Sequence, residues 1–366
     1  MEERLVAGLY IHIPFCKKRC LYCDFFSTTQ LERREEYTAA LLKEIAQRLY
    51  EASEPIQTVY IGGGTPSTLP SEPLIAIDQL LHSYRIAEYT MEMNPGDVRA
   101  TYLQELRQTG INRISLGIQS FQDNLLHLIG RRHDAQQAKE AVHTAQEAGF
   151  DNISIDLMYA LPTQTMEQWD ADIETALSLG VQHISSYGLM YEEGTAMTRM
   201  LEKGEIEAVD EDTENAMYDR LCERLKEAGF VHYEVSNFAL PGYEAKHNSN
   251  YWNGTPYIGV GAGAHSYIGH VRSWNPSDLD AYISGINNGT LVRESETLTE
   301  RDLYNEQVML GLRTCRGLHA SLSVDRRSTV GKLLESQLLR MTEDGRLVAT
   351  QKGLHVLNRI IEDLMI

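Results

Sequence analysis

LYIHIPFCKKRCLYCDFFS, residues 9–27, is the stretch from which the rest of the chain is read. Its first half alternates apolar residues from Leu9 to Phe15 and is broken at Pro14, the pattern of a buried strand emptying into a loop. Its second half holds three of the five cysteines, Cys16, Cys20 and Cys23; Cys222 and Cys315 stand alone and far away. Closely spaced thiolates suit a soft metal or an iron–sulfur cluster. Structural zinc wants four protein ligands. A fourth is not obvious here, His12 being the nearest candidate and Asp24 a poorer one. Three ligands on a four-iron cluster leave one iron open to a substrate or cofactor. Lys17, Lys18 and Arg19 lie in the same loop, where they favour thiolates or an anionic cluster. The plain alternative is a helix burying its cysteines as small apolar residues; Pro14 and the basic run argue against it. Five cysteines cannot all pair as disulfides.

Outward from this loop, strand and helix patterns alternate to about residue 190. Strands are expected at 9–14, 58–62, 89–93, 113–118, 152–157 and 183–188. Amphipathic helices are expected near 33–50, 72–84, 99–109, 134–148 and 165–179, with Gly110, Gly149 and Gly180 at helix-to-strand joints. Six such units predict an α/β fold, a parallel sheet curled into a partial (β/α)6 barrel, with functional residues at the C-terminal strand ends. The boundaries read as a barrel over 1–190, an extension over 191–289 and a smaller, mostly helical, winged-helix-like C-terminal domain over 290–366. In that last part a helix over 297–312 is expected to be capped at Thr299, followed by helix 328–341, a strand pair and a helix over 354–364. A lid over the barrel mouth is the role expected of it.

Each strand end carries a distinctive group. Gly62-Gly63-Gly64-Thr65-Pro66 lets backbone approach a ligand without Cβ interference. Glu92-Met93-Asn94-Pro95 places a carboxylate where it can bond a ribose. Gln119 ends the fourth strand, and Arg131-Arg132 follow one helix later, a guanidinium being able to grip a carboxylate with two parallel bonds. Asp156 is an acid within an apolar strand and needs a partner. Far downstream, His247-Asn248-Ser249-Asn250-Tyr251-Trp252 sits in a long loop-like stretch, 240–275, and pairs an imidazole with aromatics, a combination that suits a flat conjugated ring bearing a metal. Gly259-Val260-Gly261-Ala262-Gly263-Ala264-His265-Ser266 has glycines spaced like a dinucleotide fingerprint but no convincing helix after it. It is expected to pack its backbone against the barrel mouth.

Together, C-x3-C-x2-C after a strand, GGGTP, the Glu-x-Asn-Pro run and DLMYALPTQT (156–165) resemble the radical S-adenosylmethionine (SAM) superfamily, and specifically its coproporphyrinogen-dehydrogenase branch. The resemblance covers essentially the whole chain. It implies that Cys16, Cys20 and Cys23 hold a [4Fe–4S] cluster whose open iron takes the amino and carboxyl groups of SAM, and that reduction cleaves SAM to a 5′-deoxyadenosyl radical. It further implies SAM contacts at Tyr10, Tyr22, Gly63, Gly64, Thr65, Glu92, Gln119, Arg131 (rather than Arg132), Asp156 and Met190. HNSNYW is similar to the H-N-x-x-Y-W motif of the haem-chaperone members of this branch, which implies a haem contact at His247, Asn248, Tyr251 and Trp252. The dehydrogenase carries a fourth cysteine where this chain has Phe25, and a long N-terminal extension where this chain reaches its cysteine loop by residue 16. The chaperone reading is therefore preferred. It implies haem, acceptor haemoproteins and an electron donor as partners, and no dehydrogenase activity. The oxidative decarboxylase is the first alternative and a zinc-stabilised binding protein the second.

Composition agrees with a globular chain: 366 residues, 42% hydrophobic and 23% charged. A net charge of −19 argues against nucleic-acid binding. MEERLVAG has neither the basic nor the apolar region of a leader peptide, and no apolar run approaches membrane-span length. A reducing cytoplasmic setting is expected, with any membrane association arising through an acceptor.

Overall fold

The structure, a computed structural model, describes residues 7–51 and 54–366. The leader-peptide reading of the first residues lies outside that range. Six parallel strands come first: β1 (Ala7–Ile13), β2 (Ile56–Gly63), β3 (Glu88–Met93), β4 (Arg113–Gln119), β5 (Ile153–Tyr159) and β6 (His183–Gly188). They lie side by side in chain order. Helices α1 (Arg34–Arg48), α2 (Ser71–Leu81), α3 (Ala100–Leu106), α4 (Asp123–Leu128), α5 (Ala135–Glu147) and α6 (Met166–Ser178) connect them. The partial (β/α)6 architecture is thus present as an open, curved sheet.

Two-residue alternation explains the curl and the contents. Leu9, Ile11, Ile13, Val59, Ile61, Met91, Ile114, Leu116, Ile155 and Ile184 point one way and build the apolar layer under the helices. Their neighbours Tyr10, His12, Thr58, Tyr60, Glu92, Arg113, Ser115, Asp156 and His183 point the other way, into a polar lumen. Parallel strands buried on both faces usually read as continuous apolar runs. These do not, because one face lines a site instead of a core.

Helix ends follow local chemistry. Asp134 with Gln137 and Thr165 with Gln168 form capping boxes on α5 and α6. Gly149 and Gly180 take positive φ (87° and 65°) just after their helices. Gly110 does not; its N–H donates to Asp78 Oδ1 (2.8 Å), and a Cβ would come within 3.0 Å of that oxygen. It is small for closeness rather than for handedness.

Past β6 the chain runs through α7 (Ala196–Glu202) and α8 (Glu211–Glu227), then β7 (Val231–Glu234) and β8 (Asn237–Ala239), which add antiparallel strands beside β6. The stretch 240–275, read as loop, is largely ordered structure. It holds α9 (Lys246–Asn253), β9 (Tyr257–Val260), β10 (His265–Ile268) and β11 (Val271–Trp274). β9 pairs parallel to β1, and β10, β11 and β12 (Glu294–Thr297) continue antiparallel, so that twelve strands among the described residues form one sheet. α10 (Leu279–Asn288) packs beside α1.

A second apolar core lies C-terminally. It comprises α11 (Glu300–Leu312), β13 (Leu318–His319), α12 (Arg327–Glu335), β14 (Leu339–Met341), β15 (Arg346–Ala349), α13 (Gln351–Leu354) and α14 (Leu357–Leu364). Val308, Leu312, Leu333, Leu347, Ile360 and Leu364 fill it. Its strands form a separate antiparallel sheet in the order β13–β15–β14, one strand more than expected, and Thr299 caps α11 as expected. The predicted helix 328–341 stops at Glu335 and gives its last residues to β14. β12 belongs to the large sheet, so residues 294–297 are structurally part of the barrel's extension. Among the described residues no helix is long and apolar enough to cross a membrane.

Candidate functional site

A cavity of about 490 Å³ opens at the C-terminal ends of the parallel strands. Cys16, Cys20, Tyr22, Cys23, Gly63, Gly64, Thr65, Glu92, Gln119, Arg131, Asp156 and Met190 all line it, so the structure brings together every predicted cluster and SAM residue except Tyr10. Tyr10 lies deeper in the lumen, stacked on Tyr60 with ring centroids 6.2 Å apart and bonded to His12 Nδ1 (3.0 Å).

The cysteine loop is fixed at its base and again at its tip, where Leu21 N–H donates to Ile129 O (3.1 Å) and Leu21 O accepts from Met197 N–H (2.8 Å). Cys16 N–H donates to Thr28 O (2.8 Å) and Thr28 N–H to Pro14 O (2.7 Å), closing the loop. Cys16 is buried and shares a 3.4 Å contact with Thr65 Oγ1. Cys20 and Cys23 are half-buried. Burial pushes the Cys16 thiol up and the Cys23 thiol up to about 11. A bound cation would favour their deprotonation. Among the described residues no three His, Cys, Asp or Glu side chains converge on a single-ion position. His12 is not a fourth ligand: Nε2 bonds Phe26 O (2.9 Å), Nδ1 bonds Tyr10, and burial lowers its pKa to about 4.

Around the loop the walls are built for a ligand. Gly63 has φ 112°, and a Cβ there would lie 2.6 Å from the His12 ring; one on Gly64 would lie 3.0 Å from Cys16 Sγ. Bare backbone therefore faces the cysteines. Glu92 accepts from Tyr60 OH (2.6 Å) and from Gly63 N–H (3.2 Å). Burial raises its pKa to about 7, against the pull of the Tyr60 bond. Burial likewise raises Asp156 to about 6, while the buried Arg113 cation pulls it down. Gln119 is held at φ 74° where β4 and β5 slip register, a strained setting for a residue with a side chain.

Arg131 and Arg132 diverge. Arg131 reaches Cys20 Sγ (3.4 Å) and Gly117 O, and its Nε has no partner among the described residues. Arg132 also borders the cavity, but its guanidinium is paired with Asp97 (2.8 Å). Three thiols, bare glycine backbone and an unpaired guanidinium nitrogen are a donor set that fits a cluster and an amino-acid carboxylate.

Two contributors were missed from sequence. Asp97 ties the cysteine loop to the β3 end, accepting from Lys17 (2.7 Å) and Arg132. Burial opposes its ionisation, but those two bonds more than offset it and hold its pKa below the usual carboxylate value. Tyr60 supports Glu92 from below. The signal for Tyr60 was the alternation of β2, which turns it to the same face as Gly62; Asp97 had no local signal.

The HNSNYW segment is elsewhere. It forms α9, which closes the opposite end of the lumen. His247 is fully buried; Nδ1 meets Thr58 Oγ1 (3.0 Å), Nε2 meets Tyr251 OH (2.9 Å), and its ring stacks on Tyr60. Burial lowers its pKa to about 3. Asn250 Nδ2 donates to the same Thr58 oxygen, and Glu88 accepts from the N–H groups of Lys246 and His247 (2.8 Å each). Asn248, Tyr251 and Trp252 are half-buried. In this arrangement His247 offers a haem no nitrogen.

The radical SAM superfamily profile matches residues 10–176. The chain is 36% identical over 357 residues to the heme chaperone HemW of Bacillus subtilis, covering 95% of this chain and 94% of that one. It is 36% identical over 370 residues to the heme chaperone HemW of Lactococcus lactis, covering 98% and 97%. Coproporphyrinogen III oxidase (HemN) from Escherichia coli, a radical SAM enzyme, shares the fold with a TM-score of 0.83 at 23% identity, over 99% of this chain and 90% of that one.

Proposed function

Because the chain belongs to the HemW heme-chaperone family of the radical SAM superfamily, we propose that it binds haem and passes it to acceptor haemoproteins, with a [4Fe–4S] cluster and SAM held at the barrel mouth. The observation that carries this reading is the single cavity in which Cys16, Cys20 and Cys23 face the glycine edge, Glu92, Gln119, Arg131 and Asp156. In it the three thiolates hold the cluster, whose fourth iron offers SAM an open coordination position. Gly63 and Gly64 admit the methionyl group against bare backbone. Arg131 meets its carboxylate. Glu92, steadied by Tyr60, takes ribose hydroxyls, and the backbone around Met190 borders the adenine.

Handing haem on needs an acceptor, and changing the cluster's charge needs an electron donor; both are partners in this reading. The haem contact expected at His247, Asn248, Tyr251 and Trp252 requires the imidazole to give up its bond to Thr58 or its bond to Tyr251 before a ring nitrogen is free. The oxidative decarboxylase shares this fold, so the test must separate the two. Cluster-reconstituted protein is given coproporphyrinogen III, SAM and a reductant without oxygen, with a haem titration alongside. Stoichiometric haem binding and no decarboxylated product is the expected result. Decarboxylated product would overturn the chaperone reading, and iron-free, zinc-loaded protein would overturn both.

A further inference from the structure

The inner face of the sheet does not stop at β1. Register carries it outward: Tyr10 opposes Gly259, Gly259 lies against His265, and His265 opposes Trp274. Paired residues project to the same face. His265 and Trp274 therefore stand on the same face as the lumen residues, on an antiparallel shelf beside the mouth. The lower part of that shelf is occupied, since Arg272 bonds Glu306 of α11. The upper part is open, and His265 is exposed. Its imidazole stacks on the Trp274 indole, centroids 5.6 Å apart and planes 21° from parallel, and its ring nitrogens have no hydrogen-bond partner among the described residues. Partial desolvation against the sheet and the neighbouring Arg272 lower its pKa, which favours the uncharged ring. The loop leading into it packs on the cysteine loop, a Cβ on Gly263 falling 3.4 Å from Phe26 Cβ.

We propose that His265 is the residue that takes the haem iron, on an open His265–Trp274 shelf next to the cluster loop. The inference rests on the haem-binding reading above and names its site. An imidazole nitrogen binds iron only when it is neutral and unengaged. His247 and His12 fail on engagement; His127 and His270 are exposed but lack a stacked ring among the described residues. A macrocycle standing on His265 meets the indole edge-on, which covers part of one porphyrin face with apolar surface. Arg272, the cation on this shelf, is held by Glu296 and Glu306, so the propionates project to solvent.

The test is a ferric-haem titration of the full, cluster-reconstituted chain, followed by the Soret band. Variants are His265→Ala, His270→Ala and Trp274→Leu. The expected result is haem binding about tenfold or more weaker in His265→Ala, with loss of the imidazole-ligated spectrum, partial restoration by added imidazole, and wild-type behaviour in His270→Ala. Trp274→Leu should weaken binding with the imidazole spectrum kept. An unchanged spectrum and affinity in His265→Ala, or equal loss in His270→Ala, would overturn this site while leaving the chaperone reading standing. Wild-type protein that holds no haem would overturn the chaperone reading and this inference with it.

Discussion

The two ends of the lumen both hold polar side chains drawn in from water, and they behave oppositely. At the mouth, Cys16, Cys20, Glu92, Arg131 and Asp156 border a cavity, and Arg131 Nε is unpaired among the described residues. At the far end, Glu88, Thr58, His247, Asn250 and Tyr251 bond one another. The cysteines mark the mouth, but a buried carboxylate stands at both ends, Glu92 at one and Glu88 at the other. What separates them is whether polar atoms are already spoken for, which is a property of packing.

The contrast is broken most severely at the cysteines. Cys16→Ala, Cys20→Ala or Cys23→Ala should reduce bound iron from about four per chain to near none, read by iron and sulfide analysis, while the unfolding midpoint of the iron-free chain moves little. Retention of full iron in any one of them would remove that cysteine from the ligand set. At the closed end the effect should be on stability instead. Glu88→Ala strands two backbone N–H groups at the start of α9 and should cost about 3 kcal/mol in urea unfolding, with SAM affinity at the mouth unchanged. An equal fall in SAM affinity would show that the two ends are coupled through Tyr60.

A gentler probe is pH. A ribose hydroxyl donates to an ionised carboxylate, and Glu92 ionises near 7. SAM affinity should therefore rise between pH 6 and pH 8, by up to about tenfold, and the rise should flatten in Glu92→Gln. Stability runs the other way. Because the folded-state value is raised from 4.5 to about 7, this carboxyl favours the folded chain below 4.5, and that contribution is lost as pH climbs through 7. Smallest of all should be Lys17→Met. Its ammonium is 45% exposed although Asp97 is not, so the loss should stay under about 1 kcal/mol, with iron content intact.

Much of this was legible because it is periodic. The six parallel strands fall within two residues of their expected bounds, since LYIHI, EYTMEM and RISLGIQ each alternate and each is followed by a turn signal. The mouth residues were legible because barrel strands end where ligands bind, and each ended in a group with distinct chemistry. Besides the C-terminal helix that gave way to β14, what failed lay in 240–275. Four-residue strands such as Tyr257–Val260 and Val271–Trp274 are too short to show a period, and an eight-residue helix starting at Lys246 has no side-chain cap to announce it; its cap is Glu88, 158 residues away. The location of His247 was likewise hidden, because its partner Thr58 is 189 positions distant. Distant pairing also explains why Asp97 gave no signal, Lys17 being 80 residues before it.

An open twelve-stranded sheet has two free margins, and each is a template on which another chain can add a strand. At one margin β12 carries Glu294 and Glu296 among four exposed residues, so an incoming strand meets two carboxylates along that edge. At the other, β7 is only four residues long, and the chain just beyond it is already bonded to the C-terminal unit, Val235 N–H to Arg313 O and Cys315 N–H to Tyr233 O. The second core thus does for one margin what two glutamates do for the other: each makes an edge of the unclosed barrel a poor template for an added strand.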